Sequence, residues 1–425
     1  LHTLRIIFFF FFLAVKNCIV IQSGGPTAAT NSSLAGVIKR ASEVGYDHIY
    51  GGINGIVGVL SQKVCDLTEK ISEDPDFIEK LKKTPAMYLG SCRLRLPDPK
   101  SEPAIYDTLY SYFRSLDIDT FFGIGGNDSM DTVMKLAYYF KRKGSPIRVI
   151  GVPKTIDNDL MFTDHTPGFG SAAKYVASTI REMAYDTMIY PVKSITVVEV
   201  MGRDSGWLTA ASALARTESV SAPQLIYLPE VPFSIENCIA DTKALLKQRN
   251  SVLIAVSEGI RDRKGDYISA SDAKEDKFGH LMLSGAGKAL EHILGQALGV
   301  KIRSVELNIP QRCASHLASK TDIEEAFGLG SAGVDLAEEG KTGLMTSIER
   351  VRDDPYQISY SSVPVSDVAN GVKNVPRDFI NERGNDVTEK MVEYLKPLIQ
   401  GEVDLSFNDG LPDFLPIPHL VDTTD

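Results

Sequence analysis

Cysteine is scarce and scattered: Cys18, Cys65, Cys92, Cys238 and Cys313 are the only five in 425 residues, an odd number with no CxxC pair. That pattern excludes a disulfide framework and a structural zinc site, and it points to a reducing, cytoplasmic compartment. The seven histidines show no HExxH-type spacing, which removes the usual helical zinc-hydrolase signature. Positive charge is also in deficit. Lys and Arg number 45 against 55 Asp and Glu, a net charge of −10. Nothing then offsets repulsion from a nucleic-acid backbone, so a nonspecific nucleic-acid binder is excluded. An anionic substrate needs a local basic pocket inside an acidic protein. No apolar run is long enough for a comfortable membrane span. The longest, residues 4–15, is interrupted by Arg5 and holds five consecutive phenylalanines at 8–12. It lacks a clear small-residue cleavage site, and the sequence does not begin with Met. Residues 1–16 are set outside the fold as a non-native or mis-assigned leader, the alternatives being a targeting segment or a true extension.

What remains is an ordinary globular composition, 43% hydrophobic and 24% charged, too long for one core and suited to two α/β domains. Short apolar runs at 18–22, 121–124, 147–152, 194–201, 224–228, 252–256 and 302–307 read as buried strands. Between them Leu34, Val37, Ile38 and Ala41 recur at helical spacing, and helices are expected over 129–140, 207–216 and 284–298. Strands alternating with helices predict largely parallel sheets covered on both faces, with the chemistry at the C-terminal ends of the strands. The charged stretch 261–280 is expected as a surface excursion, and the tail after Gly401 as a surface wrap.

The unusual residues do lie at strand ends. Ser23-Gly24-Gly25 follows the first strand and Gly125-Gly126-Asn127-Asp128-Ser129 follows the second. Glycine lets backbone approach a phosphate, and helix-terminal N–H groups favour its charge. A plain tight turn accounts equally for the first segment, and a helix N-cap from Asn127, Asp128 or Ser129 for the second. Pro153-Lys154-Thr155-Ile156-Asp157-Asn158-Asp159 is more specific: it sets a cation, a hydroxyl and two carboxylates together. In an extended stretch Asp157 and Asp159 share a face, where one carboxylate can take a hydroxyl proton while the other orients sugar or metal. A bare Asx-turn would leave Lys154 and Thr155 unexplained. Met201-Gly202-Arg203 offers close backbone approach and a bidentate phosphate ligand. Arg93, Arg312 and Glu258 after a strand are weaker signals, each equally at home in a surface ion pair or a solvated loop.

In order and spacing, SGG at 23–25, GSCR ending at Arg93, GGNDS at 125–129, PKTIDND at 153–159, VEVMGR ending at Arg203, SEG at 257–259 and Gln311-Arg312 resemble the phosphofructokinase family over roughly 17–326. The resemblance implies two Rossmann-like three-layer α/β domains with the active-site cleft between them. Residues 17–168 would bind the donor, with a segment of about 310–360 returning to that domain. Residues 169–309 would bind the sugar phosphate, and 361–425 would pack on both as a C-terminal extension. It implies that Asp157 takes the proton from the 1-hydroxyl of fructose 6-phosphate. Thr155 and Asp159 would hold the transferring group and the sugar. Met201, Gly202, Arg203, Glu258, Gln311, Arg303 and Arg312 would bind the sugar phosphate, and Gly25 and Arg93 the donor. One arginine is expected to cross from a neighbouring subunit, so a homodimer or homotetramer is implied. Family members that use ATP carry glycine where this chain has Asp128, and commonly glycine where it has Lys154. Members that use pyrophosphate carry Asp and Lys, so pyrophosphate is the expected donor, with Mg²⁺ as cofactor. An ATP-dependent enzyme and a non-catalytic regulatory subunit binding sugar phosphates are the alternatives. Two departures matter. The family's metal-binding aspartate is Asn127 here, and the His or Tyr three residues before the Gln-Arg arginine is Ile309.

Overall fold

The computed structural model describes residues 15–268, 274–275, 281–282 and 285–417. The leader 1–14 and much of the excursion 261–280 lie outside the described residues; Lys16 already belongs to the fold, paired with Glu338 at 2.5 Å.

In chain order the strands are β1 Asn17–Gln22, β2 His48–Gly52, β3 Val64–Asp66, β4 Ile118–Gly125, β5 Arg148–Pro153, β6 Ser194–Val200, β7 Leu225–Tyr227, β8 Ser251–Ser257, β9 Lys274–Glu275, β10 Leu281–Met282, β11 Lys301–Glu306, β12 Leu344–Asp353, β13 Tyr356–Pro364, β14 Phe407–Asn408 and β15 Leu411–Pro412. Seven form one sheet in the order β13-β12-β5-β4-β1-β2-β3, and four a second in the order β11-β6-β8-β7. The interior of the first sheet is parallel, and antiparallel partners β3 and β13 finish its edges. The second sheet is parallel throughout.

Both sheets are buried on both faces, which is why their strands read as continuous apolar runs rather than as alternation. Along β1, Cys18 and Val20 join one core while Ile19 and Ile21 join the other. Along β6, Val198 and Val200 face one core and Ile195 and Val197 the opposite one. Over the first sheet, helices Thr30–Glu43 and Lys320–Glu338 touch without side chains between them. A Cβ on Gly36 would fall 2.0 Å from the carbonyl oxygen of Phe327, and one on Gly330 2.1 Å from that of Ser33.

The expected strands are present with ends shifted by one to three residues. The helix expected over 207–216 is one α-helical turn, Trp207–Ala210, that tightens into a 3-10 helix, Ala211–Ala215. The two outer strands at each end of the first sheet, β2 and β3 on one side and β12 and β13 on the other, carry weaker apolar runs and break the expected pattern. The C-terminal segment spans both halves: Val365 and Val368 pack into a core of the first sheet, while Val375, Ile380, Val387, Met391, Leu395 and Leu398 pack into a core of the second.

Candidate active site

The C-terminal ends of β1, β4, β5, β6 and β8 converge on a cleft of about 610 Å³. At its first wall Ser23 donates its N–H to Ile124 O (3.0 Å), tying the turn after β1 to β4. Lys154 Nζ rises beneath that turn and donates to Gly25 O at 2.6 Å, although Lys154 is only 2% exposed. Burial depresses its pKa to about 8, partly offset by the carboxylates of Asp157 and Asp159.

The helix after β4 begins at Asn127, two residues earlier than expected. Gly126 is its cap, with extended backbone and no side-chain cap bond. The alternative in which Asn127, Asp128 or Ser129 merely caps the helix is thereby removed. All three stand in the first turn, whose leading N–H groups attract anions, although the Ser129 N–H turns back to Gly126 O (3.0 Å), and all three line the cleft. Ser129 Oγ meets Ser23 Oγ at 2.5 Å, locking the two glycine turns together.

The segment after β5 is a turn, not the extended stretch anticipated: Asn158 adopts φ 53°. Asp157 and Asp159 flank this left-handed residue and still both line the cleft. Asp157 accepts from Thr155 Oγ1 (3.3 Å), and Asp159 accepts from Asn127 Nδ2 (3.1 Å). Burial raises the Asp157 pKa against the pull of the Thr155 hydroxyl, Arg203 and Lys154. Burial, together with the Asp157 charge, pushes Asp159 up to about 7. A carboxylate held near neutral ionisation is what proton abstraction at physiological pH requires.

The opposite wall comes from the second sheet. Gly202, at φ 144°, follows β6, and its carbonyl accepts from the buried Ser257 hydroxyl. Its N–H donates to Glu258 Oε1 (3.3 Å). Burial pushes Glu258 to about 7. Among the described residues the Nε atoms of Arg203 and Arg312 and Oδ1 of Asn127 are buried without a hydrogen-bond partner, and all three residues line the cleft, where a bound ligand would satisfy them. Burial, with Arg93 nearby, also lowers the Arg312 pKa.

Gly25, Arg93, Asn127, Asp128, Lys154, Thr155, Asp157, Asp159, Met201, Arg203, Glu258 and Arg312 are thus brought to one cleft. Three expected residues do not line it. Gly202 is buried, with its N–H given to Glu258 Oε1. Gln311 is 2% exposed, and its amide is committed to main chain, accepting from Met201 N (3.1 Å) and donating to Asn308 O (2.9 Å). It shapes the turn after β6 and is in no position to touch substrate. Arg303 is exposed on β11, at the edge of the second sheet. Conversely, Asn370, Gly371 and Val372 line the cleft, with Asn370 Oδ1 accepting from Arg95 Nη2 at 2.8 Å. No motif marks these three, and the Asn-Gly turn signal at 370–371 was the only local hint. Among the described residues no three His, Cys, Asp or Glu side chains gather as a metal cluster, and no helix is long and apolar enough to cross a membrane.

The cleft and its two doubly wound sheets define a Rossmann-like α/β protein whose strand ends are arranged to receive anions. The chain belongs to the phosphofructokinase family: the family model described as Phosphofructokinase matches residues 17–306. Among curated relatives it is 40% identical over 404 residues to a pyrophosphate–fructose 6-phosphate 1-phosphotransferase of Halomonas elongata, covering 94% of this chain and 96% of the relative. A protein of the same name from Methylococcus capsulatus is 37% identical over 407 residues, covering 95% and 96%. The solved structure of a pyrophosphate-dependent phosphofructokinase from Marinobacter aquaeolei superposes with a TM-score of 0.84 at 37% identity, covering 94% of this chain and 95% of that one.

Proposed function

We propose that this chain is a cytoplasmic, glycolytic enzyme that transfers a phosphoryl group from pyrophosphate to O1 of fructose 6-phosphate, giving fructose 1,6-bisphosphate. The observation that carries the reading is the presence of Asp128 and Lys154 in the same cleft as Asp157. Asp157 takes the proton of the attacking hydroxyl. Lys154 and Arg93 offset charge on the donor and on the phosphoryl in flight, and Arg203, Arg312 and Glu258 hold the sugar phosphate. Phosphoryl transfer depends chiefly on such positioning and charge stabilisation. The Asp128 carboxylate supports the donor choice, since it repels the α-phosphate of a nucleotide. Pyrophosphate is no stronger a donor than ATP, so the reaction runs near equilibrium in both directions. The cysteines are free thiols, in keeping with a reducing compartment.

The unpaired Oδ1 of Asn127 beside Asp159 fits Mg²⁺, which favours oxygen ligands, few of them from protein and the rest from substrate phosphates. When bound there the ion would neutralise donor charge. We place the enzyme in a homodimer or homotetramer. Arg312 lines its own cleft while Arg303 stands exposed on β11, so Arg303 is the arginine that enters a neighbouring copy's site.

The test is fructose 1,6-bisphosphate formation with pyrophosphate and with ATP, each with and without Mg²⁺. Turnover is expected with pyrophosphate and Mg²⁺, and Asp128→Gly is expected to improve use of ATP. Preference of the wild type for ATP would end the donor assignment. Protein that turns over neither donor but stimulates a related subunit would establish a regulatory role.

A further inference from the structure

Two carboxylates that flank a left-handed residue depend on whatever holds that residue. Asn158 is fully buried, and its side chain is gripped at both ends. Nδ2 donates to the Tyr394 hydroxyl (2.9 Å), and Oδ1 accepts from Lys373 Nζ (3.2 Å). Both partners come from the C-terminal segment rather than from either sheet. The Lys373 ammonium also donates to Thr163 O (3.0 Å) and Asp164 O (2.8 Å), and its backbone N–H donates to Asp159 O (2.7 Å). On its other side the Lys373 carbonyl accepts from Trp207 Nε1 (2.8 Å) and from Ser205 Oγ (3.4 Å). One residue therefore bonds both walls of the cleft: the 158–164 loop below the first sheet, and the turn after β6 that carries Arg203. Burial lowers the Lys373 pKa to about 8, opposed by Asp164 and Asp159. A desolvated cation satisfied mainly by neutral oxygens is a costly structural feature.

We propose that Lys373 is a positioning residue for phosphoryl transfer, holding Asn158 and the backbone of Asp159 so that Asp157 and Asp159 face the cleft in register with Arg203. The inference rests on the phosphotransferase reading above. It also explains why the segment next to Lys373, Asn370 to Val372, lines the cleft: the clamp draws it there.

Lys373→Met keeps the length of the side chain and its packing near the Trp207 ring while deleting the donors. Misplacement of a reacting group by an ångström costs about 100-fold, so kcat is expected to fall about 10- to 100-fold. The KM values for pyrophosphate and fructose 6-phosphate should stay within about threefold, because the groups that bind them are untouched. Asn158→Ala added to Lys373→Met should cost less than the product of the two single losses, since the two share the Lys373–Asn158 bond. If Lys373→Met does not fold, Trp207→Phe is read instead: it keeps an aromatic ring beside Phe379 and Tyr394 and removes the bond to the Lys373 carbonyl, and a fall in kcat at unchanged KM is again expected. A folded variant with the kcat of the wild type, or kcat losses that multiply with Asn158→Ala, would overturn the proposal. Wild type that uses ATP alone overturns the donor reading only, and the same variants are then compared with ATP. Wild type inactive with both donors overturns the two together.

Discussion

Asp159 loses its solvent to stand beside Asp157, and this has consequences for stability as well as for chemistry. Its pKa is about 7 in the fold against a reference of 3.8. The folded state binds the proton more tightly than the unfolded chain, so this group's contribution to stability is full below 3.8 and is lost as pH rises towards about 7. Asp159→Asn removes that penalty. It is expected to raise the melting temperature at pH 7.5 by on the order of 2 °C while lowering turnover, with the gain shrinking towards pH 4. A lower melting temperature at pH 7.5 would contradict it. At this scale the sequence was legible where chemistry and chain order coincide: Asp157, Asp159, Lys154 and Asp128 stand in compact runs at strand ends. It was not legible where a role depends on tertiary partners. Gln311 looked like a ligand and is spent on main-chain bonds.

Elements carry the site through their spacing. Helix Thr30–Glu43 starts just after the Ser23-Gly24-Gly25 turn, and helix Lys320–Glu338 starts shortly after Arg312. Their contact at Gly36 and Gly330 brings Arg312 Nη1 within 3.7 Å of where a Gly25 Cβ would lie. A methyl at Gly330 has backbone, not a flexible side chain, to displace. Overpacking of that kind costs about 1–3 kcal/mol. Gly330→Ala should therefore lower stability by that amount in urea titration and raise the KM for pyrophosphate, because the helices part at the donor end. An unchanged KM alongside the stability loss would show that helix separation does not reach the site. The buried strands could be read from sequence because burial on both faces makes continuous apolar runs that end in glycine. The edge strand β13 could not, since it is only partly buried along its length and its apolar pattern is thin. The turn at Asn158 was missed because side-chain grips from residues 373 and 394 impose it, and no local pattern announces partners so far along the chain.

At the scale of the whole molecule, the C-terminal segment joins the two cores. Its eight buried aliphatic anchors, two in one core and six in the other, each stabilise by about 1.5–3 kcal/mol. Together they rival the roughly 5–15 kcal/mol net stability of a typical fold, so the cleft keeps its width because one chain segment is fixed to both sides. The second sheet, by contrast, ends on an open flank. Among the described residues β11 has no strand on its outer side and Arg303 is exposed, and the chain entering β6 exposes Tyr185, Met188, Ile189, Tyr190 and Val192. Exposed apolar surface next to an open strand edge suits a second copy of the chain. Light scattering is expected to give a dimer or tetramer. If Arg303 completes the neighbouring site, Arg303→Ala should raise the KM for fructose 6-phosphate about 10- to 100-fold, the worth of hydrogen bonds to a charged group. Asp157→Asn should abolish turnover with that arginine intact. Hybrids of the two variants, dissociated and reassembled together, then show turnover at the wild-type KM, which neither parent has, because a site with a sound Asp157 receives Arg303 from the other chain. Monomeric active protein, or hybrids that show only the raised KM of the Arg303→Ala parent, would confine every catalytic group to one chain.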